Sequence, residues 1–175
     1  MVGQTFKVAG YEHHQEQQQA ENDESRQSQE LTSATTIHND VYYFDTKSLA
    51  WNKVNTKIVD AAGSEVEGTS SLKRHSHVAI PLPNGNMLVF GGASEQNEIL
   101  NDVWQLNLKT GLWARVKINC ETGIWPCARE MHSTCYNTSS KDNGCTACQM
   151  YVMGGRNADG AVLGDMWLLS QGTCF

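Results

Sequence analysis

The sequence predicts an all-β fold built from successive four-stranded antiparallel sheets, and three observations carry that expectation. A block recurs at a fixed interval: Asn39–Trp51 (NDVYYFDTKSLAW) aligns with Asn101–Trp113 (NDVWQLNLKTGLW) at an offset of 62, and Gly164–Leu169 aligns with Asn101–Leu106 at an offset of 63. A short apolar run closed by two glycines, Met87–Gly92 (MLVFGG), returns at the same offset of 63 as Met150–Gly155 (MYVMGG). Finally, the apolar pattern has the period of strands and nowhere that of a helix of ordinary length. Asp102–Leu108 alternates, with Trp104, Leu106 and Leu108 on one face and Val103, Gln105 and Asn107 on the other.

Taken in order, residues 1–11 offer a remnant strand of the first unit, because Val8-Ala9-Gly10 reads as a reduced copy of the apolar run with its glycines. Residues 12–38 form a polar, Gln/Glu-rich, low-complexity insert. Between Tyr11 and Asn39 only Leu31 and Ile37 are aliphatic residues larger than Ala, too little apolar surface to offset the entropy of ordering, so this segment is expected to be disordered. His13 and His14 are of metal-binding type, but the composition favours a solvated loop. The repeats occupy residues 39–175, as a partial unit (39–73), a full unit (74–128) and a second partial unit (129–175).

Within these units some intervals are constant and others are not. Gly92 to Asp102 and Gly155 to Asp165 are both intervals of 10, and Asp40 to Trp51 and Asp102 to Trp113 are both intervals of 11. Trp51 to Arg74 is 23 against 16 for Trp113 to Arg129, and His77 to Gly91 is 14 against 22 for His132 to Gly154. The insertions therefore fall between elements, where a loop tolerates them. Lys109-Thr110-Gly111 and Thr46-Lys47-Ser48 supply turn residues before the fourth strands WARVKI and WNKV. Gly-Gly at a strand end allows positive φ or close backbone approach. A Trp on each sheet gives a large area for packing on the next.

Four signatures recur in order: Arg74-x-x-His77 and Arg129-x-x-His132; an apolar strand ending in Gly91-Gly92 and Gly154-Gly155; Asp102 with Trp104 and Asp165 with Trp167; and Trp113 at the interval of 11 after Asp102. Together they resemble the kelch repeat. Phe44 and Leu106 stand where many kelch repeats have Tyr, and the first unit lacks the Gly-Gly pair. The resemblance implies a kelch-type β-propeller whose blades are the repeat units. Under three blades are present, so the chain cannot close the ring alone: either it is a fragment of a longer propeller, which is the expectation, or other chains complete the ring. Its open blade ends are expected to self-associate.

Composition narrows the function. The net charge is −6, and residues 12–30 alone hold six acids against Arg26, so the repeats are nearly neutral and offer no field for a nucleic acid. The start, MVGQTFKVAG, lacks the regions of a signal peptide, and no apolar run approaches the roughly 18 residues of a membrane span. No membrane association and a cytoplasmic location are the expectations. No phosphate-binding loop, Gly-x-Ser-x-Gly or His-Glu-x-x-His sequence occurs. No catalytic residue and no cofactor are expected, and the recurring Arg and His residues are read as structural hydrogen-bonding groups.

All six cysteines lie at or beyond Cys120. His132, Cys135, Cys145 and Cys148 are zinc-ligand types at ribbon-like spacing, yet positions i and i+3 of a strand face opposite ways, which argues against a shared ion. A disulfide between the first strand and the inserted loop is a second reading, and free thiols are the default without a secretion signal. Asn137-Thr138-Ser139 matches a glycosylation sequon.

The resemblance implies a non-catalytic protein-interaction module. By resemblance to kelch domains that hold peptides, partners would bind the rim formed by loops between second and third strands and by inter-blade connections. Those loops would carry Ser94, Glu95, Gln96, Asn97 and Glu98; Asn119, Glu121 and Thr122; and Arg156, Asn157 and Asp159. The alternative is a fragment of a kelch-propeller enzyme, of copper-oxidase or sugar-modifying type, or a Cys-rich metal-binding variant.

Overall fold

Strands and tight turns make up the computed structural model, which describes residues 5–8, 11–12, 36–67, 72–118, 124–140 and 146–170; no α-helix occurs among them. Along the chain, β1 (Thr5–Val8) is followed by the short β2 (Tyr11–Glu12) and β3 (Thr36–Ile37), which pair with each other. At the end of the polar segment, Ile37 is in a strand and buried. Residues 13–35 lie outside the described residues. The first sheet joins β1 to β4 (Val41–Asp45) and β4 to β5 (Ala50–Val54).

Register makes the repeat legible in three dimensions. Val8 is opposite Val41 as Phe90 is opposite Val103, so Ala9-Gly10 take the sequence place of Gly91-Gly92, although Ala9 and Gly10 lie outside the described residues.

The second sheet contains β8 (Arg74–His75), β9 (Val78–Pro81), β10 (Asn86–Ser94), β11 (Ile99–Asn107) and β12 (Leu112–Arg115), and it is wider than a four-stranded unit. The extra residues between Trp51 and Arg74, expected as a loop, instead build a hairpin of β6 (Lys57–Val59) and β7 (Glu65–Val66). Its β6 runs parallel to β12 and covers that outer edge. The reason is apolar burial: Ile58 opposite Trp113 joins the core, a gain of roughly 1.5–3 kcal/mol. The third sheet is β13 (Ser133–Ser140), β14 (Thr146–Met153) and β15 (Met166–Ser170), in that order.

Alternation on the second sheet feeds two separate cores. Met87, Val89, Trp104, Leu106 and Trp113 pack with Val41 and Ile58 toward the first sheet. Ile80, Phe90 and Val103 pack with Cys148, Met150 and Val152 toward the third. The middle sheet is therefore apolar on both faces, as a blade between two others must be.

Candidate interaction surface

Where the sequence reads the Arg-x-x-His segment as one continuous strand, the structure breaks it. Ser76 and Met131, at the same repeat position, both have φ of 54°, and the break separates β8 from β9. The break lets the chain wrap around the glycine pair. Gly92 and Gly155 have φ of 92° and 97°. A Cβ at Gly92 would stand 2.5 Å from the His75 carbonyl and 2.8 Å from the His77 Cβ; at Gly155 it would stand 2.6 Å from the Glu130 carbonyl and 2.9 Å from the His132 Cβ. Only glycine fits such contacts. Gly91 and Gly154 share the left-handed conformation, at 62° and 66°.

Behind each glycine pair lies a buried arginine fork. Arg74 donates from Nη1 and Nη2 to Asp102 Oδ1 and Oδ2 at 2.8 and 3.1 Å, and from Nη1 to the Gly91 carbonyl at 3.0 Å. Arg129 repeats this on Asp165 at 2.8 and 2.9 Å and on the Gly154 carbonyl at 3.0 Å. Trp104 Nε1 donates to Asp102, and Trp167 Nε1 donates to Asp165. Burial pushes the Asp102 carboxyl up, but the Arg74 bonds outweigh it and the net shift is downward. The Arg129 and then the Trp167 bonds hold Asp165 well below the usual range, and Asp165 in turn raises Arg129. The sequence reading missed this Arg–Asp pairing. Its signal was present, since both residues recur together despite separations of 28 and 36.

His77 and His132 sit beside these forks. Burial first, then the charge of Arg74 and of Arg129 respectively, lower both imidazoles to about 4, so both are neutral at pH 7. His132 is buried with its ring edge-on to Phe90 at 5.2 Å, bridging the second and third sheets. Nearby backbone bonds tie the same sheets: Gly92 N donates to the Arg129 carbonyl at 2.9 Å, and Met131 N to the Ser76 carbonyl at 2.9 Å.

Two of the three expected rim loops are described, and they share one construction. Ser94 Oγ accepts from the amides of Gln96 and Glu98 at 3.2 and 3.1 Å; Asn157 Oδ1, at an offset of 63, accepts from Asp159 and Ala161 at 3.1 and 2.9 Å. Each turn has a left-handed residue at its tip, Asn97 at 60° and Gly160 at 79°. Side chains of Gln96, Asn97, Glu98 and Asp159 are exposed. Glu95 pairs with Lys73 at 2.8 Å, which sets the connection entering the second sheet beside its β10–β11 turn. Arg156, itself half exposed, donates to buried Glu130, a bond the sequence did not signal. Asn119, Glu121 and Thr122 lie outside the described residues.

The zinc-type set is not brought together. Cys135 is opposite Tyr151 and Cys148 opposite Thr138, an odd separation that puts the two thiols on opposite faces of the third sheet. Cys148 is in the core, where burial raises its thiol pKa, and Cys135 is exposed; both, like Cys127, are free. Cys145 lies outside the described residues, as do Cys120 and Cys174. Among the described residues no group of three or more potential donors could hold a metal ion. No helix among them is long and apolar enough to cross a membrane.

Comparison with known proteins agrees with this geometry. The sequence profile of the KLHDC2/KLHL20/DRC7 Kelch-repeats domain matches residues 29–174. Kelch domain-containing protein 1 of Mus musculus is 33% identical over 132 residues, covering 75% of this chain and 27% of that protein. An F-box/kelch-repeat protein of Arabidopsis thaliana is 32% identical over 124 residues, 69% of this chain and 22% of its own length. Host cell factor homolog hcf-1 of Caenorhabditis elegans is 32% identical over 90 residues, covering 49% of this chain and 10% of that protein. The chain thus spans about a quarter or less of these relatives. With its glycine pairs, arginine forks and stacked sheets in register, it belongs to the kelch-repeat family.

Proposed function

We propose that this chain is a non-catalytic protein-interaction module that holds its partners on one rim, through the turns Ser94–Glu98 and Asn157–Ala161. The observation that carries the reading is the identity of those turns. Each is fixed by a side-chain oxygen accepting two amides, so the exposed tips of Gln96, Glu98 and Asp159 are presented on a rigid frame at the same place in successive sheets. Rigid loops lose little entropy on binding. Kelch repeats serve generally in protein interaction, which supports the same reading. The arginines and aspartates of the repeat are paired with each other and His132 packs on Phe90, which leaves the rim as the surface for recognition.

The test is a comparison of two variants of the intact chain on a support. Gln96→Lys with Glu98→Lys and Asp159→Lys alters this rim, and Asn84→Lys with Lys109→Glu alters turns at the other ends of the strands. The first is expected to lose the proteins that the natural chain retains specifically, and the second to keep them. Equal retention by both variants would overturn the rim assignment.

A further inference from the structure

We propose that the junction between the first and second sheets holds one ordered water molecule, which accepts a hydrogen bond from Trp113 Nε1 and donates one to His77 Nδ1. Two observations point to it. Both atoms are buried, and among the described residues neither has a hydrogen-bond partner. Both residues also line one small cavity of about 10 Å³, whose wall includes Arg74, Val89 and Trp104. A buried donor or acceptor left unpaired carries its full cost of desolvation, so such atoms are nearly always satisfied by protein or by ordered water. A water needs space of roughly 10–15 Å³ and about two to four polar partners. This cavity supplies the space and, in Trp113 and His77, a donor and an acceptor.

The chemistry of the two atoms fixes the direction of each bond. An indole nitrogen only donates, so the water accepts from Trp113. His77 is neutral at pH 7, so one of its ring nitrogens carries a proton and the other is an acceptor. With Nδ1 as the acceptor, the imidazole proton is on Nε2. Position explains why a bridging molecule is needed. Trp113 belongs to β12 and His77 to the link between β8 and β9, and in the sheet β10 and β11 lie between them. Val89 of β10 and Trp104 of β11 line the same cavity, so the water spans the face of the sheet above these two strands. A cavity of this size with only apolar walls would stay dry. The site is inside the fold and separate from the rim.

Nuclear magnetic resonance of the intact chain, labelled with nitrogen-15 in tryptophan and histidine, reads the site directly. The Trp113 indole proton is expected to show a cross-peak to water with the sign of a long-lived bound molecule, and the His77 ring to carry its proton on Nε2. No such cross-peak at Trp113, or a proton on His77 Nδ1, would overturn the proposal. Val89→Ile supplies a second measurement, because it adds one methyl group to the cavity wall without touching either polar atom. Displacing an ordered water by a group that cannot reproduce its hydrogen bonds is unfavourable. The variant is therefore expected to lose the cross-peak and to melt at a lower temperature than the natural chain. A higher melting temperature would mean that the methyl group fills a dry void, and would overturn the proposal.

Discussion

Trp51 and Trp113 hold the same position in successive repeats, yet Trp113 is 3% exposed and Trp51 is 56% exposed. The difference is one of neighbours. Trp113 lies between the first and second sheets with Ile58 opposite it, whereas Trp51 lies against Phe44, ring centroids 5.3 Å apart and tilted, on the outward face of the first sheet. Trp113→Ala should therefore cost about 3–5 kcal/mol, the range for a large aromatic removed from a core. Trp51→Ala should cost well under half as much. Urea unfolding of the two variants measures both, and equal losses would mean that the outward face is covered in solution.

Asp102→Ala leaves the Arg74 guanidinium buried without its carboxylate. Breaking a buried pair on one side typically costs about 3–5 kcal/mol. Asp102→Asn, which keeps one acceptor, should cost less, and Arg74→Lys should also destabilise, because a point charge cannot reproduce two parallel bonds and the bond to the Gly91 carbonyl. Thermal melting of the three variants should rank Ala worst, and a neutral Asp102→Ala would show that the fork contributes nothing.

Gly92→Ala and Gly63→Ala separate backbone conformation from crowding. Both glycines have positive φ, at 92° and 83°, but a Cβ at Gly63 meets nothing within 4 Å. Gly63→Ala should cost only the left-handed penalty of about 1 kcal/mol. At Gly92 the His75 carbonyl and the His77 Cβ must also move, so the loss should be clearly larger. Similar melting temperatures for the two would remove close approach as the reason for the glycine pair.

Acid should weaken the sheet junctions before the carboxylates titrate. His77 and His132 are held near 4, against about 6.5 for a free imidazole. Between those values the unfolded chain binds protons that the folded chain refuses, so stability is full above pH 6.5 and falls as pH drops toward 4. His77 faces Arg74, His75 and His132, and His132 faces Arg129, all of which oppose a further positive charge. Below about 4 the Asp102 and Asp165 contributions follow, since both carboxyls are depressed. Denaturation midpoints measured from pH 7.5 to 4.5 should decline, and His132→Gln should flatten the slope. A flat profile for the natural chain would show that neither imidazole is shielded.

Repeats were readable in the sequence because they are spaced by rigid elements: Gly92 to Asp102 and Gly155 to Asp165 keep one interval, since one turn built on Ser94 or Asn157 joins the same two strands. Residues whose role is fixed by partners far along the chain were harder. Nothing local to Arg74 says that Asp102 receives it, and nothing local to Glu130 points to Arg156. The β6–β7 hairpin was hidden for another reason. Lys57–Val59 is too short to show a period, and it becomes a strand only because β12 offers an edge and Trp113 offers apolar contact to Ile58.

The last prediction concerns the outward face of the third sheet. At an offset of 63, Met153 and Met166 are the counterparts of Phe90 and Val103, and their exposures are 57% and 68% against 2% and 1%. Leu168 adds a further half-exposed side chain to the same face. The first sheet is open on the opposite kind of face, where Tyr42 and Trp51 stand in for Trp104 and Trp113. A face of the Phe90 type and a face of the Trp113 type are the two halves of each internal junction, so two copies of this chain are expected to meet head to tail. Such contacts do not close after two copies unless the geometry of the ring allows it, and they favour oligomers over a single dimer. Sedimentation at micromolar concentration should therefore show association that grows with concentration, and Met153→Lys with Met166→Lys should reduce it while leaving the strand content unchanged. A natural chain that stays monomeric, with a cooperative melt and little binding of hydrophobic dye, would show that these faces are tolerated in water.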